Sequence, residues 1–158
     1  MKSGKQPIHN EDRSIWITFN GEIFNYKQLR QELEVAGHRF YTNSDTEVIL
    51  HAYDQYPNFP EILNGQFAFA IYDTKKNELF IARDRLGVKP LYYSKLNGAL
   101  VFASEIKAIL RHPGFKRRIN LMAVSSYLSY RYELGTETLF QGIFKLMPGH
   151  YMVVKGNI

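Results

Sequence analysis

The chain has 158 residues, 45% of them hydrophobic and 22% charged, with a formal net charge of +5. That is one domain's worth of ordinary globular composition, long enough to bury about two-thirds of its unfolded surface. No run approaches about 18 apolar residues, "MKSGKQPIHN" lacks the apolar stretch of a secretory leader, and no cysteine is present. A membrane span, a disulfide framework and a thiolate metal centre are therefore not expected within these residues. The basic residues are scattered. Their densest group, Lys116-Arg117-Arg118, reads as a solvated loop, so no nucleic-acid partner is expected.

Residues 1–13 are polar and predicted to be irregular. Ser14 to Phe19 reads as a strand that stops at Asn20-Gly21-Glu22. Asn-Gly is a strong hairpin signal, yet the chain continues as "YKQLRQELEVAG", a helical pattern rather than a second strand. Asn25 is the predicted N-cap of that helix, Leu29 and Leu33 lie on its apolar face, and Gly37 stops it. "HRFYT" is predicted to be a short strand. Ser44 to Glu47, "SDTE", has the capping-box pattern and opens a second helix, ended by Pro57 and Pro60. The period then changes to two. "QFAFAIYD", "ELFIARD", "PLYYSK" and "ALVFAS" are predicted strands, with hairpin turns at "TKKN" and "LNG". Helices are predicted from Glu105 and, capped by Asn120, from Leu121 to about Tyr130, with a last strand in "GHYMVVKG". Strands joined by short turns and flanked by helices give an α+β layered domain with mostly antiparallel sheets.

Candidate chemistry is sparse by residue type alone. The five histidines are dispersed and no metal site is expected. No phosphate-binding glycine loop and no G-x-S-x-G elbow occurs. Asp45 and Glu47 sit where a helix dipole favours carboxylates, so capping is the simplest reading of both. "RDRLGVKP" reads as a charged connection before a strand.

The order of motifs says more. "FNGEIFN", "NSDTEVILHAY", "LNGQFAFAIYD", "RDRLGVKPLYY", "FASEIKAIL" and "TETLFQGIFKLMPGHYMV" together resemble the class II glutamine amidotransferase domain of glutamine-hydrolysing asparagine synthetases. The resemblance runs from Gln6 onward. It implies an N-terminal-nucleophile-type fold, a four-layer αββα sandwich of mostly antiparallel sheets, incomplete here at its N-terminus. In that family an N-terminal cysteine attacks the side-chain amide of glutamine and releases ammonia. The resemblance gives Asn20 (side-chain amide) and Gly21 (backbone N–H) as the oxyanion hole, Glu22 as a pocket residue, and Asp45 as the carboxylate for the α-ammonium of glutamine. Two neutral donors aimed at charge that develops only in the transition state suit that role, and a carboxylate suits the ammonium.

The departures carry equal weight. The nucleophilic cysteine has no counterpart in these residues, nor does the arginine that would grip the substrate carboxylate. The chain is expected to be a partial domain, 1–158, as from a truncated gene product or gene fragment. Ser3 would serve as a substitute nucleophile only after removal of Met1 and Lys2. Two function classes follow. One is the cytoplasmic ammonia-supplying domain of an asparagine synthetase, a carbon–nitrogen ligase amidating aspartate with glutamine and ATP. The other is a non-catalytic remnant acting, if at all, by protein binding. This chain alone is expected to lack glutaminase activity. No cofactor is expected in it; ATP and Mg would belong to the missing synthetase domain. Expected partners are glutamine, that domain, and further copies of the chain through an exposed sheet edge, with "WITF" and "FAFAIY" losing their cover.

Overall fold

The structure is a computed structural model and describes residues 5–156, so Ser3 lies outside the described residues. Strands β1 (Ile8–His9), β2 (Ile15–Ile23), β3 (Gly65–Asp73) and β4 (Glu78–Arg83) are followed by β5 (Tyr92–Leu96), β6 (Ala99–Ala103), β7 (Phe144–Lys145) and β8 (Tyr151–Lys155). One sheet has the order β1-β2-β3-β4-β8 and the other β6-β5-β7, every pairing antiparallel. Helices α1 (Tyr26–Val35), α2 (Asp45–Gln55) and α3 (Phe59–Ile62) lie between β2 and β3 in sequence. Helices α4 (Ile106–Ile109) and α5 (Leu121–Tyr130) follow β6.

Strand alternation builds two cores. Ile15, Ile17, Ile23, Phe67, Phe69, Ile71 and Phe80 face Leu29 and Leu33 of α1 and Val48, Ile49 and Ala52 of α2. The opposite face sends Ala68, Ala70, Leu79 and Ile81 toward Leu91, Tyr93, Leu100 and Phe102 of the second sheet. With α4 against β5 and β6, the layers run helix, sheet, sheet, helix. The hairpin turns have the chemistry predicted for them: Asn97 and Gly98 take φ of 50° and 85°, and Asn77 takes 47°.

Several local expectations are corrected. β2 does not stop at Phe19; it runs through Asn20-Gly21-Glu22 to Ile23, paired throughout with β3. "HRFYT" is not a strand, because its amides go to carboxylates: Arg39 to Glu11, and Tyr41 and Thr42 to Glu47. The capping box is half formed. Ser44 Oγ accepts the Thr46 N–H, whereas Glu47 turns away to Tyr41 and Thr42. Asn25 starts α1 without a side-chain cap; its amide instead bridges the Ile62 carbonyl and the Asn64 N–H. Within the polar start, β1 pairs with Trp16 and Ile17.

The apolar faces of "WITF" and "FAFAIY" keep their cover, because α1 and α2 lie on them: Ile17, Phe69 and Ile71 are buried. The outer edge of β2 is also blunted rather than left open. The Gln6 side-chain amide accepts the Phe19 N–H and donates to the Phe19 carbonyl, and Asp45 takes the Ile23 N–H.

Candidate functional site

The end of β2 is shaped by one glycine. Gly21 has φ +151°, and a Cβ there would overlap the Gln66 carbonyl oxygen and lie 2.7 Å from Phe67 Cα. Only glycine permits that approach. The Asn-Gly pair is thus a tight crossing within a ladder, not a turn. Asn20 and Glu22, two residues apart, are exposed on the face opposite the buried Ile15, Ile17 and Ile23.

That face looks toward the second sheet. Asn20 pairs in register with Ala68, and Thr18 with Ala70. Two alanines in the facing row leave space, and a cleft of about 220 Å³ opens there, lined by Gln6, Thr18, Asn20, Ala68, Phe102 and Ser104 among others. Asp45 arrives from the other side. Capped by Ser44, the first turn of α2 aims the Asp45 carboxylate at the edge of β2, where Oδ2 accepts the Ile23 N–H at 2.9 Å. The fold therefore brings Asp45 to within two residues of Gly21 along the strand. A larger cavity, about 500 Å³, lies on the helix-bearing side between Tyr53, Phe59, Phe80, Arg85 and Tyr151. It touches none of the four predicted site residues.

Sequence reasoning missed the roles of Gln6 and Asp84. Gln6 stands in for a paired strand beside Asn20, a role with no periodic signal. Asp84 is buried at the heart of "RDRLGVKP". Its carboxylate accepts N–H groups of Phe67, Leu86, Val88 and Lys89, and its carbonyl accepts those of Gly87 and Gly149. Arg83 donates to the carbonyls of Gly87, Lys89 and Leu146, each at 2.7 Å. Burial raises the pKa of Asp84, but the four amides outweigh it and hold the carboxyl below its usual range. The "RD" pair thus braces the loop and the β3 segment opposite Gly21. Of the histidines read as dispersed, His38 and His51 converge with Glu11.

Comparison with known proteins agrees with this architecture. The sequence profile of the glutamine amidotransferase domain matches residues 1–157. "Asparagine synthetase [glutamine-hydrolyzing] 3" of Bacillus subtilis is 42% identical over 154 residues, 95% of this chain and 25% of that protein. "Amidase chry2" of Gibberella zeae is 35% identical over 156 residues, 98% of this chain and 22% of that protein. The chain thus spans about a quarter of the length of these relatives. Among solved structures, the glutamine phosphoribosylpyrophosphate amidotransferase of B. subtilis, complexed with ADP and GMP, superposes with a TM-score of 0.58. It is 32% identical, with 66% of this chain and 25% of that chain covered. The fold is the αββα sandwich of the N-terminal-nucleophile amidotransferases, and the chain belongs to the glutamine amidotransferase domain family.

Proposed function

We propose that this domain binds glutamine and supplies its amide nitrogen as ammonia within an asparagine synthetase-type enzyme that amidates aspartate using ATP. One arrangement carries the reading: Asn20 lines the inter-sheet cleft, and Asp45 is tethered 2.9 Å from the Ile23 amide just beyond Gly21. Asp45, with Glu22, would hold the α-ammonium of glutamine. A thiolate attacking the side-chain amide carbon forms a tetrahedral oxyanion, which the Asn20 side-chain amide and the Gly21 N–H would stabilise. Collapse breaks the C–N bond, releases ammonia and leaves a glutamyl thioester that water hydrolyses to glutamate.

The 158 residues hold no cysteine, so the thiol must come from outside them. The chain alone is therefore expected to release no glutamate from glutamine. Fused to a cysteine-bearing N-terminal segment of an asparagine synthetase, it should turn over, and Asn20→Ala should lower that rate roughly 100–1,000-fold. Asp45→Asn should raise KM for glutamine. A rate in the fusion indifferent to Asn20→Ala would overturn the assignment, as would turnover by the chain alone that Asn20→Ala abolishes. The lack of cysteine also favours a second reading, a non-catalytic amidotransferase-like protein that acts by binding. A folded fusion without turnover would support it.

A further inference from the structure

We propose that Glu11, His38 and His51 form a binding site for a divalent transition-metal ion such as zinc, on the outer side of α2 and separate from the Asn20 cleft. Three different segments supply the ligands: the loop between β1 and β2, the loop after α1, and α2 itself. One ligand atom from each lies within 4.8 Å of the other two. His51 Nδ1 faces Glu11 Oε1 at 4.0 Å, and the His38 and His51 rings are 4.8 Å apart between centroids.

The His51 ring is the buried member of the cluster. His51 is only 1% exposed, and its buried Nε2, 3.5 Å from Glu47 Oε1, makes no hydrogen bond among the described residues. Buried polar groups are almost always partnered, and the idle Nε2 is out of keeping with that. A cation on Nδ1 would fix the ring proton on Nε2, the nitrogen that faces the Glu47 carboxylate.

The outward contacts fit the same reading. Metal-bound histidines use their other ring nitrogen to contact a carboxylate or carbonyl, which fixes the ring. His51 Nε2 lies 3.5 Å from Glu47 Oε1, and His38 Nε2 lies 3.1 Å from Gln55 Oε1. His38 Nδ1 is then left for the metal. Glu11 is half exposed, and the Arg39 N–H holds its Oε1 at 3.2 Å, over the two imidazoles. Two imidazoles and one carboxylate, with a water completing a tetrahedron, are a zinc-type donor set. Tetrahedral ligands at about 2.0–2.2 Å from zinc sit roughly 3.3–3.5 Å apart. Closing from the present spacing asks for movements of about an ångström, which the half-exposed Glu11 side chain and the partly exposed His38 ring can supply against the buried His51.

Equilibrium dialysis of the purified chain against zinc, with cobalt(II) absorption as the geometric readout, tests the site. Saturable binding of one zinc per chain is expected, with a rise in Tm that EDTA reverses and a tetrahedral cobalt spectrum. Glu11→Gln and His38→Asn act on partly exposed side chains, so the fold should survive, checked by circular dichroism. Each should abolish the Tm rise. Gln55→Met, which touches no metal, should weaken zinc by about 10–100-fold, whereas His150→Asn should change nothing. Absence of saturable binding in the parent chain would overturn the proposal. So would zinc affinity unchanged in both Glu11→Gln and His38→Asn.

Discussion

At the scale of single residues, two positions show how a side chain or its absence fixes the backbone around the candidate site. Gly21→Ala forces a Cβ into the Gln66 carbonyl at a φ of +151°. The strand must move, so we expect a loss of about 1–3 kcal/mol, read as a lower midpoint in denaturant unfolding. Asp84 works in the opposite sense, by accepting. Asp84→Asn leaves one acceptor oxygen for four N–H donors and turns an NH₂ group toward them. A loss of about 2–3 kcal/mol is expected. The sign of the pH effect follows. The folded-state pKa of Asp84 is depressed from its ordinary value, so its contribution is complete above the unfolded pKa of about 4. It is lost as pH falls through the folded value below that. Urea midpoints measured down the acid range should fall less steeply for Asp84→Asn than for the parent.

At the scale of elements, carboxylates decide where secondary structure does not form. The segment 38–42 has β-forming side chains but no strand partner. Both oxygens of buried Glu47 hold it against α2, with N–H bonds of 2.8 Å from Tyr41 and from Thr42 and a third from the Thr42 hydroxyl. Burial pushes the pKa of Glu47 up, but the His51 contact, the hydroxyl and the two amides outweigh it and hold the carboxyl low. Glu47→Gln keeps the shape and removes the charge. It should cost about 2 kcal/mol and speed amide hydrogen exchange at Tyr41 and Thr42, with little change in β3 and β4. Unaltered exchange at those two amides would mean that the segment is held by its packing instead.

For the molecule as a whole, exposed apolar surface is concentrated on α5 rather than on the edge of β2. Met122 is 78% and Leu128 73% exposed, with Leu121, Tyr130 and Tyr132 beside them, and Ala123 is the one buried residue of that helix. Such a patch favours association. We expect concentration-dependent self-association through this helix in sedimentation, and dispersal by Met122→Lys with Leu128→Lys at little cost in stability. Self-association that survives both changes would redirect attention to the outer edge of β8, the last strand of its sheet.

The sequence by itself determined what depends on short-range pattern. Period-two alternation marked β3 to β6, and Asn97-Gly98 marked their hairpin. Helical periodicity with Asn120 gave α5 its bounds, and the order of six motifs identified the family. Asn20, Gly21 and Asp45 were singled out as candidates because the motif carried them. Their arrangement was not. Whether Asn-Gly turns or passes through a ladder depends on how closely β3 approaches, and β3 lies more than forty residues along the chain. Buried carboxylates likewise belong to whichever amides the packed fold leaves without partners. Glu47 therefore went to Tyr41 and Thr42 instead of its own helix end, and Asp84 to Phe67. His38, His51 and Glu11 read as scattered along the chain, and only the packing of α2 against two loops brought them within reach of one ion.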